Sequence, residues 1–370
     1  MYMWWILIIV GLIAAAYVWF RSYPAFGGRL SRTERRAFAA RGDGYSGRKF
    51  NNLIPTSTAV SPASMADAAK QYLKGGANRR PAAAIPADPV HPGEWADTSG
   101  QARVIWFGHS TFLLFIEGKT ILVDPMLGAS PSPFPAIGGR RYSGRPPIEA
   151  EQLPPLDAVL ISHDHYDHLD YGTIKRMKDK AARFFVPLGV KAHLIRWGVA
   201  PDKIEELGWW DTASLDELQL ACTPARHFSG RRGFDQNATL WCSWVVKGRS
   251  TNIFCSGDSG YGPHFKAIGE RFGPFDAALM ECGQYDKNWE AIHMMPGQTV
   301  QAFLDVQAKL LIPIHWGAFT LALHEWTDPV ERVLEAAKRE GAAIATPRIG
   351  QTLAIDAPEK SSSYWWRQPE

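Results

Sequence analysis

The densest chemistry in the sequence is the run His163-Asp164-His165-Tyr166-Asp167-His168, which offers four potential metal ligands (His163, His165, Asp167 and His168) within six residues. Packed together and unpaired, such groups are costly to bury. A divalent cation resolves the conflict by taking up their lone pairs. Imidazole plus carboxylate without thiolate suits zinc, and also manganese or iron. The bland alternative is a polar surface loop that is merely His-rich. Three more polar residues follow the same placement rule. His227 comes after ACTPAR, Asp258 after NIFCSG, and His315 ends LLIPIH. Taken singly, His227 or His315 reads as a hydrogen-bonded rim histidine. Together with the six-residue run they read as one ligand set.

These residues need elements that bring them to one place. The pattern of short apolar runs begins at Arg103. Strands are expected at 104–107, 111–117 and 120–124, with a tight hairpin at Glu117-Gly118-Lys119. The run 158–162 is a buried strand that delivers the His-rich loop. Helices at 171–180 and 189–197 alternate with a strand at 183–187. Further strands are expected at 217–225, 239–246 and 251–256, with a second hairpin turn at Lys247-Gly248-Arg249. Then come a helix at 263–272, a strand at 276–281, a helix at 298–308 and a strand at 310–315. The last helix starts with Asp328 as N-cap and Pro329 in the first turn, and Gly341 ends it. A terminal strand at 342–346 follows. Hairpin and helical connections together predict an α/β fold of two mixed sheets between helical layers. Each expected ligand ends an apolar run, so several strand ends converge on one crevice.

HxHxDH followed by a single His, a single Asp and a final His resembles the metallo-β-lactamase-fold signature. The segments WFGHSTFLL, VDPMLG, ISHDHYDHLDY, FFVPLG, GDSGYGPHFKAIGERFGPFDAAL and IHWGAFTLALHEW resemble, within it, the N-acylphosphatidylethanolamine-hydrolysing phospholipase D family. The resemblance covers roughly residues 103–355. It implies an αββα sandwich with His163, His165 and His227 on one zinc. Asp167, His168 and His315 then hold the other, and Asp258 bridges the two. A hydroxide held between the metals is then the nucleophile, with Asp167 among the catalytic residues. No G-x-S-x-G elbow offers a serine in its place.

The same resemblance places His109, in GHST, on the floor of the site, as a contact to a ligand or to substrate, or as a fold-holding hydrogen bond. Asp124 reads as structural, and Asp164 as either orienting a ligand imidazole or lying exposed. Residues 288–298 align with a family segment in which a Gln-His pair contacts substrate. Here the pair is Ile292-His293, so His293 is kept as a substrate contact or proton donor while the amide is missing. Arg140, Arg141 and Arg145 read as a basic loop open to anionic lipid or to solvent. Tyr364-Trp365-Trp366-Arg367 reads either as an interfacial segment or as cover for a sheet edge.

The 370 residues, 46% hydrophobic and 21% charged, suffice for one large catalytic domain. A formal charge of +3 argues against nucleic acid as a partner. Cys222, Cys242, Cys255 and Cys282 lie in or beside apolar runs and read as small buried side chains. Residues 3–20 are uncharged and apolar, with Trp4, Trp5, Tyr17, Trp19 and Phe20 at the ends. This predicts a membrane anchor. A cleavable signal normally carries a basic n-region, and no Lys or Arg precedes the run. Arg21, Arg29, Arg32, Arg35, Arg36 and Arg41 follow it and favour a cytoplasmic catalytic domain. The expected organisation is an anchor at 3–20, a linker and surface-wrapping segment at 21–100, a catalytic domain at 101–357 and a tail at 358–370.

The expected function is a membrane-anchored dizinc phosphodiesterase of phospholipase D type, acting on N-acylphosphatidylethanolamine or a related phospholipid. Its partners are the phospholipid and the membrane, and the resemblance also admits a homodimer. The alternatives are a lactonase or small-phosphodiester hydrolase on the same fold, and a metal-binding membrane protein without turnover.

Overall fold

The computed structural model describes residues 2–42, 44–57, 66–67, 70–71, 74–76, 78–91, 100–136, 138–360 and 363–367. Its centre is two facing sheets. One has seven strands: β3 (Arg103–Trp106), β4 (Phe112–Ile116), β5 (Lys119–Val123), β6 (Leu156–Leu160), β7 (Ala181–Pro187), β8 (Ile204–Leu207) and β15 (Thr352–Ala354). They run in the order β15-β3-β4-β5-β6-β7-β8. The other has six: β9 (Thr212–Leu215), β10 (Leu218–Thr223), β11 (Ser243–Lys247), β12 (Asn252–Cys255), β13 (Ala277–Glu281) and β14 (Leu311–Ile314), in the order β14-β13-β12-β11-β10-β9. Each sheet combines antiparallel hairpins with parallel crossovers. In the first, β3 to β5 are antiparallel and β5 to β8 parallel. In the second, β9 to β12 are antiparallel and β12 to β14 parallel.

The two-residue alternation of a strand divides the core. Val104, Trp106, Phe112, Leu114 and Ile116 face the second sheet, whose Trp244 reaches across to Ile161 O. Their neighbours Ile105, Phe107, Leu113 and Phe115 face a separate layer. That layer contains Ile174 and Met177 of α3 (Tyr171–Met177) and Leu194 of α4 (Lys191–Arg196). The second sheet is covered by α5 (His264–Phe272), α6 (Pro296–Asp305) and α7 (Asp328–Glu340). All four cysteines are buried and free.

The expected mixed-sheet sandwich is present, with local differences. The strand expected over 239–246 starts at Ser243. The residues before it cross to the first sheet, where Leu240 N donates to Leu188 O and Cys242 N to Ser162 O. Residues 342–346 form only an isolated bridge, from Ile344 to Leu311. β8, β9 and β15 were not anticipated, because Glu205 and Glu206, a two-faced TASL and a three-residue edge strand hide the apolar alternation. Thr327, not Asp328, is the N-cap of α7. The Asp328 carboxylate instead accepts from the Tyr285 hydroxyl.

The N-terminal segment is more ordered than a linker. α1 (Tyr2–Ser22) is followed by a short turn, Pro24–Phe26, and by α2 (Arg32–Arg41). Ser31 and Glu34 form a capping box for α2, a sequence signal that marks this helix. A small hairpin, β1 (Tyr45–Ser46) with β2 (Lys49–Phe50), buries Phe50 against the domain. The helix expected at 63–72 lies largely outside the described residues. Arg141 is not a lipid-facing cation. It is buried, donates to Met126 O at 2.6 Å and Phe107 O at 3.2 Å, and stacks on Phe319. Trp365 and Trp366 are also buried, packed on Trp316, so this part of the tail covers the domain.

Candidate metal centre

β6 lies between β5 and β7, and its C-terminal end delivers the His-rich turn into the crevice. The turn closes through His168 N and Leu169 N, which both donate to His165 O. Asp164 points away from the ligands. It accepts from Gly230 N at 2.7 Å and Thr239 Oγ1 at 2.9 Å, and faces His193 Nε2. It anchors the turn and orients no ligand imidazole.

The first donor group is His163, His165 and His227. His165 Nδ1 lies 2.8 Å from His163 Nε2 and 3.3 Å from His227 Nε2. The other His227 nitrogen donates to Ile292 O at 2.9 Å, which leaves Nε2 to face its partners. Asn52 clamps the His227 backbone on both sides. The second group is Asp167, His168 and His315, with His109 beside them. Asp258, after β12, stands between the groups. Its Oδ2 is 3.1 Å from His168 Nε2 and 3.8 Å from both His163 Nε2 and His227 Nε2, and its Oδ1 is 3.1 Å from His315 Nδ1.

Electrostatics fit a cation. Burial pushes His163, His227 and His315 well below the usual imidazole range, so they present lone pairs. At His168 burial acts the same way, but Asp258, Asp167 and Asp124 outweigh it and hold that imidazole charged. Three carboxylates around one imidazole, and neutral imidazoles crowded nitrogen to nitrogen, form a donor set that a divalent metal satisfies.

The supporting residues were only partly foreseen. His109 is fully buried, with Nε2 2.8 Å from Asp167 Oδ2, so it touches a candidate ligand. Asp124 does more than hold the fold: it faces His168 Nδ1 and accepts from Ser162 N and Ser162 Oγ. His109, Asp124 and His315 all adopt positive φ, at 55°, 44° and 67°. Such strain persists only where surrounding bonds enforce it. Here His315 N donates to His109 O, and His109 N to Trp316 O. Gly283 is required by the same packing, because a Cβ there would lie 2.2 Å from His315 O.

Glu281 was missed. It ends β13 fully buried, with Oε2 3.1 Å from His293 Nδ1 and Oε1 accepting from Met294 N at 2.8 Å. Burial pushes its pKa up to about 7. Burial opposes charge on His293, but Glu281 and Asp258 outweigh it and raise its pKa. The His293 ring centre lies 5.0 Å from that of His227 and 5.2 Å from that of His315, at the edge of the centre. A glutamate closing an apolar strand beside the ligand-bearing ones was the available signal.

Residues 119–316 match the beta-lactamase superfamily domain. An uncharacterized protein of Mycobacterium tuberculosis is 45% identical over 292 residues, 78% of this chain and 77% of its own length. The N-acyl-phosphatidylethanolamine-hydrolyzing phospholipase D 1 of Caenorhabditis elegans is 35% identical over 244 residues, 62% of this chain and 68% of its own. Among solved structures, an isothiocyanate hydrolase from Delia radicum gut bacteria shares the fold, with a TM-score of 0.53 at 20% identity, covering 68% of this chain and 98% of its own.

Proposed function

The chain belongs to the beta-lactamase superfamily, alongside the N-acyl-phosphatidylethanolamine-hydrolyzing phospholipases D, as a metal-dependent hydrolase, and we propose that it is a membrane-anchored dizinc phosphodiesterase of phospholipase D type. Its substrate is N-acylphosphatidylethanolamine or a related phospholipid. The observation that carries this reading is Asp258, a carboxylate set between two complete donor groups. In this reading His163, His165 and His227 hold one zinc, and Asp167, His168 and His315 the other. When bound, the pair supplies a nucleophile from water at neutral pH and neutralises phosphate charge.

The protein groups do the rest. Asp124 and His109 orient His168 and Asp167. Glu281 engages His293 Nδ1, which leaves Nε2 for substrate. As the oxygen from water bonds to phosphorus, the bond from phosphorus to the head-group oxygen breaks. His293 gives its proton to that oxygen, and phosphatidic acid and the free head group leave.

Membrane attachment rests on α1. From Trp4 to Ser22 its mean hydropathy is 1.9 and none of that stretch is buried. Twenty-one residues at about 1.5 Å each reach about 31 Å, the thickness of a hydrocarbon core. The arginines that follow favour a cytoplasmic domain.

The test is phosphatidic acid release from N-acylphosphatidylethanolamine in detergent micelles by zinc-loaded protein, with Asp167→Ala as control and a sugar lactone in parallel. Lipid turnover that is lost in the variant supports the reading. Two bound zincs with lactone opening and no lipid turnover would overturn the lipid assignment and keep the metal centre.

A further inference from the structure

α1 is not tethered by a slack segment. Tyr23 OH donates to Pro133 O at 2.7 Å, Trp197 Nε1 to Pro24 O at 2.8 Å, and Arg196 Nη2 to Ser22 O at 2.7 Å. Trp19 stacks on Phe134 with centroids 5.9 Å apart. The loop carrying Pro133 and Phe134 is therefore held at the level where α1 ends.

Between this loop, the foot of α1 and the start of α3 lies a cavity of about 540 Å³. Its walls include Tyr23, Pro133, Tyr166 and Tyr171, with Lys175 and Arg231 as cations. Arg231 is only 3% exposed, and its guanidinium lies over the Tyr166 ring at 4.0 Å. Nε donates to Ala25 O and Nη1 to Leu169 O, both at 2.9 Å. Nη2 has no hydrogen-bond partner among the described residues, and Arg231 makes no ion pair there. Ser130, on the same wall, carries a second buried polar atom without a partner among the described residues. Lys175 contacts the Tyr171 hydroxyl at 3.4 Å and pairs with no carboxylate among the described residues. The cavity's own carboxylate, Asp170, uses Oδ2 to cap α3. Asp164, Asp170 and Asp235 balance part of the Arg231 charge from beyond ion-pair distance, but a buried donor without an acceptor is costly, so the Nη2 corner of the cavity favours an acceptor group.

We propose that the cavity binds the phosphate-bearing head group of an anionic membrane phospholipid, with the acyl chains lying along α1. Arg231, Ser130 and Lys175 face the phosphate, and the aromatic walls take the glycerol and upper chain. Free phosphate shares the charge chemistry, but the apolar walls and the place at the end of α1 favour a lipid. The site is separate from the metal centre yet touches it, because Tyr166 stands between His165 and Asp167 and its hydroxyl donates to Arg231 O at 2.6 Å. The inference rests on the reading of α1 as an anchor.

The experiment uses the full chain in nanodiscs of phosphatidylcholine with phosphatidylglycerol. Lipid that survives detergent purification is quantified by mass spectrometry. Lys175→Glu changes the exposed rim, and Ala129→Trp fills the cavity from a solvent-facing position. We expect stoichiometric phosphatidylglycerol, lowered about tenfold in both variants with metal content unchanged. Equal retention in wild type and variants would overturn the site. Full displacement by inorganic phosphate would overturn the lipid as ligand. Carbonate extraction separates the two failures. A chain that stays in the bilayer but retains no phosphatidylglycerol overturns this site alone, whereas one that is extracted overturns the anchor as well.

Discussion

Asp124 Oδ2 lies 2.7 Å from His168 Nδ1, and the same carboxylate accepts from Ser162 N and Ser162 Oγ. The carboxylate holds the proton on Nδ1, so Nε2, turned toward Asp258, is the nitrogen free to exchange its proton for a metal. Asp124→Asn should lower metal affinity at the His168 site by about 10- to 100-fold, the usual effect of losing such a partner. Metal titration followed by calorimetry checks this, with circular dichroism to confirm the fold. Undiminished affinity would return Asp124 to a purely structural role.

Glu281 positions His293, so its charge should matter more than its shape. Glu281→Gln keeps the acceptor for Met294 N and loses the anion that holds His293. We expect kcat to fall by about 10- to 100-fold with KM little changed. Steady-state kinetics on the proposed phospholipid substrate decides it. An unchanged kcat would show that the pair takes no part in proton transfer.

His264 offers a pH test outside the metal centre. Burial depresses its pKa to about 3, and Nε2 lies 3.0 Å from Ser259 Oγ. Below about pH 6.5 the unfolded chain takes up a proton that the folded chain refuses, until the pH nears the folded value. His264 should therefore cost stability as pH falls from about 6.5 toward 3, at up to about 1.4 kcal/mol per pH unit. Urea unfolding between pH 7 and 4.5 should show a shallower decline for His264→Gln than for wild type. Parallel declines would contradict the assignment.

Trp365 supports the centre from behind. It is 3% exposed and stacks on Trp316, the residue after His315, with centroids 5.3 Å apart. Trp365→Ala should cost about 3–5 kcal/mol through the cavity it leaves. Thermal unfolding of the full chain measures this directly, and a loss below about 1 kcal/mol would mean that the tail packs weakly.

Some of this was legible in the residues themselves. Strand periodicity is local, so the alternation of Val104 and Trp106 with Ile105 and Phe107 could be read within a few residues, and with it the mixed sheets. The rule that His163, His227, Asp258 and His315 each follow an apolar run could be read the same way, because strand ends open together. Other relationships depend on which distant segments meet. Asp124 and His168 are 44 positions apart and become neighbours because β5 and β6 pair in parallel. Glu281 meets His293 only because the chain after β13 folds back toward the metal centre. Arg141 looks like a solvated loop cation in sequence, yet three backbone carbonyls and a phenyl ring enclose it. Local spacing determined the candidate ligands and the sheet pattern. Long-range packing decided which side chains orient those ligands, which charges are buried and how α1 sits on the domain, because these depend on contacts that no short window of sequence contains.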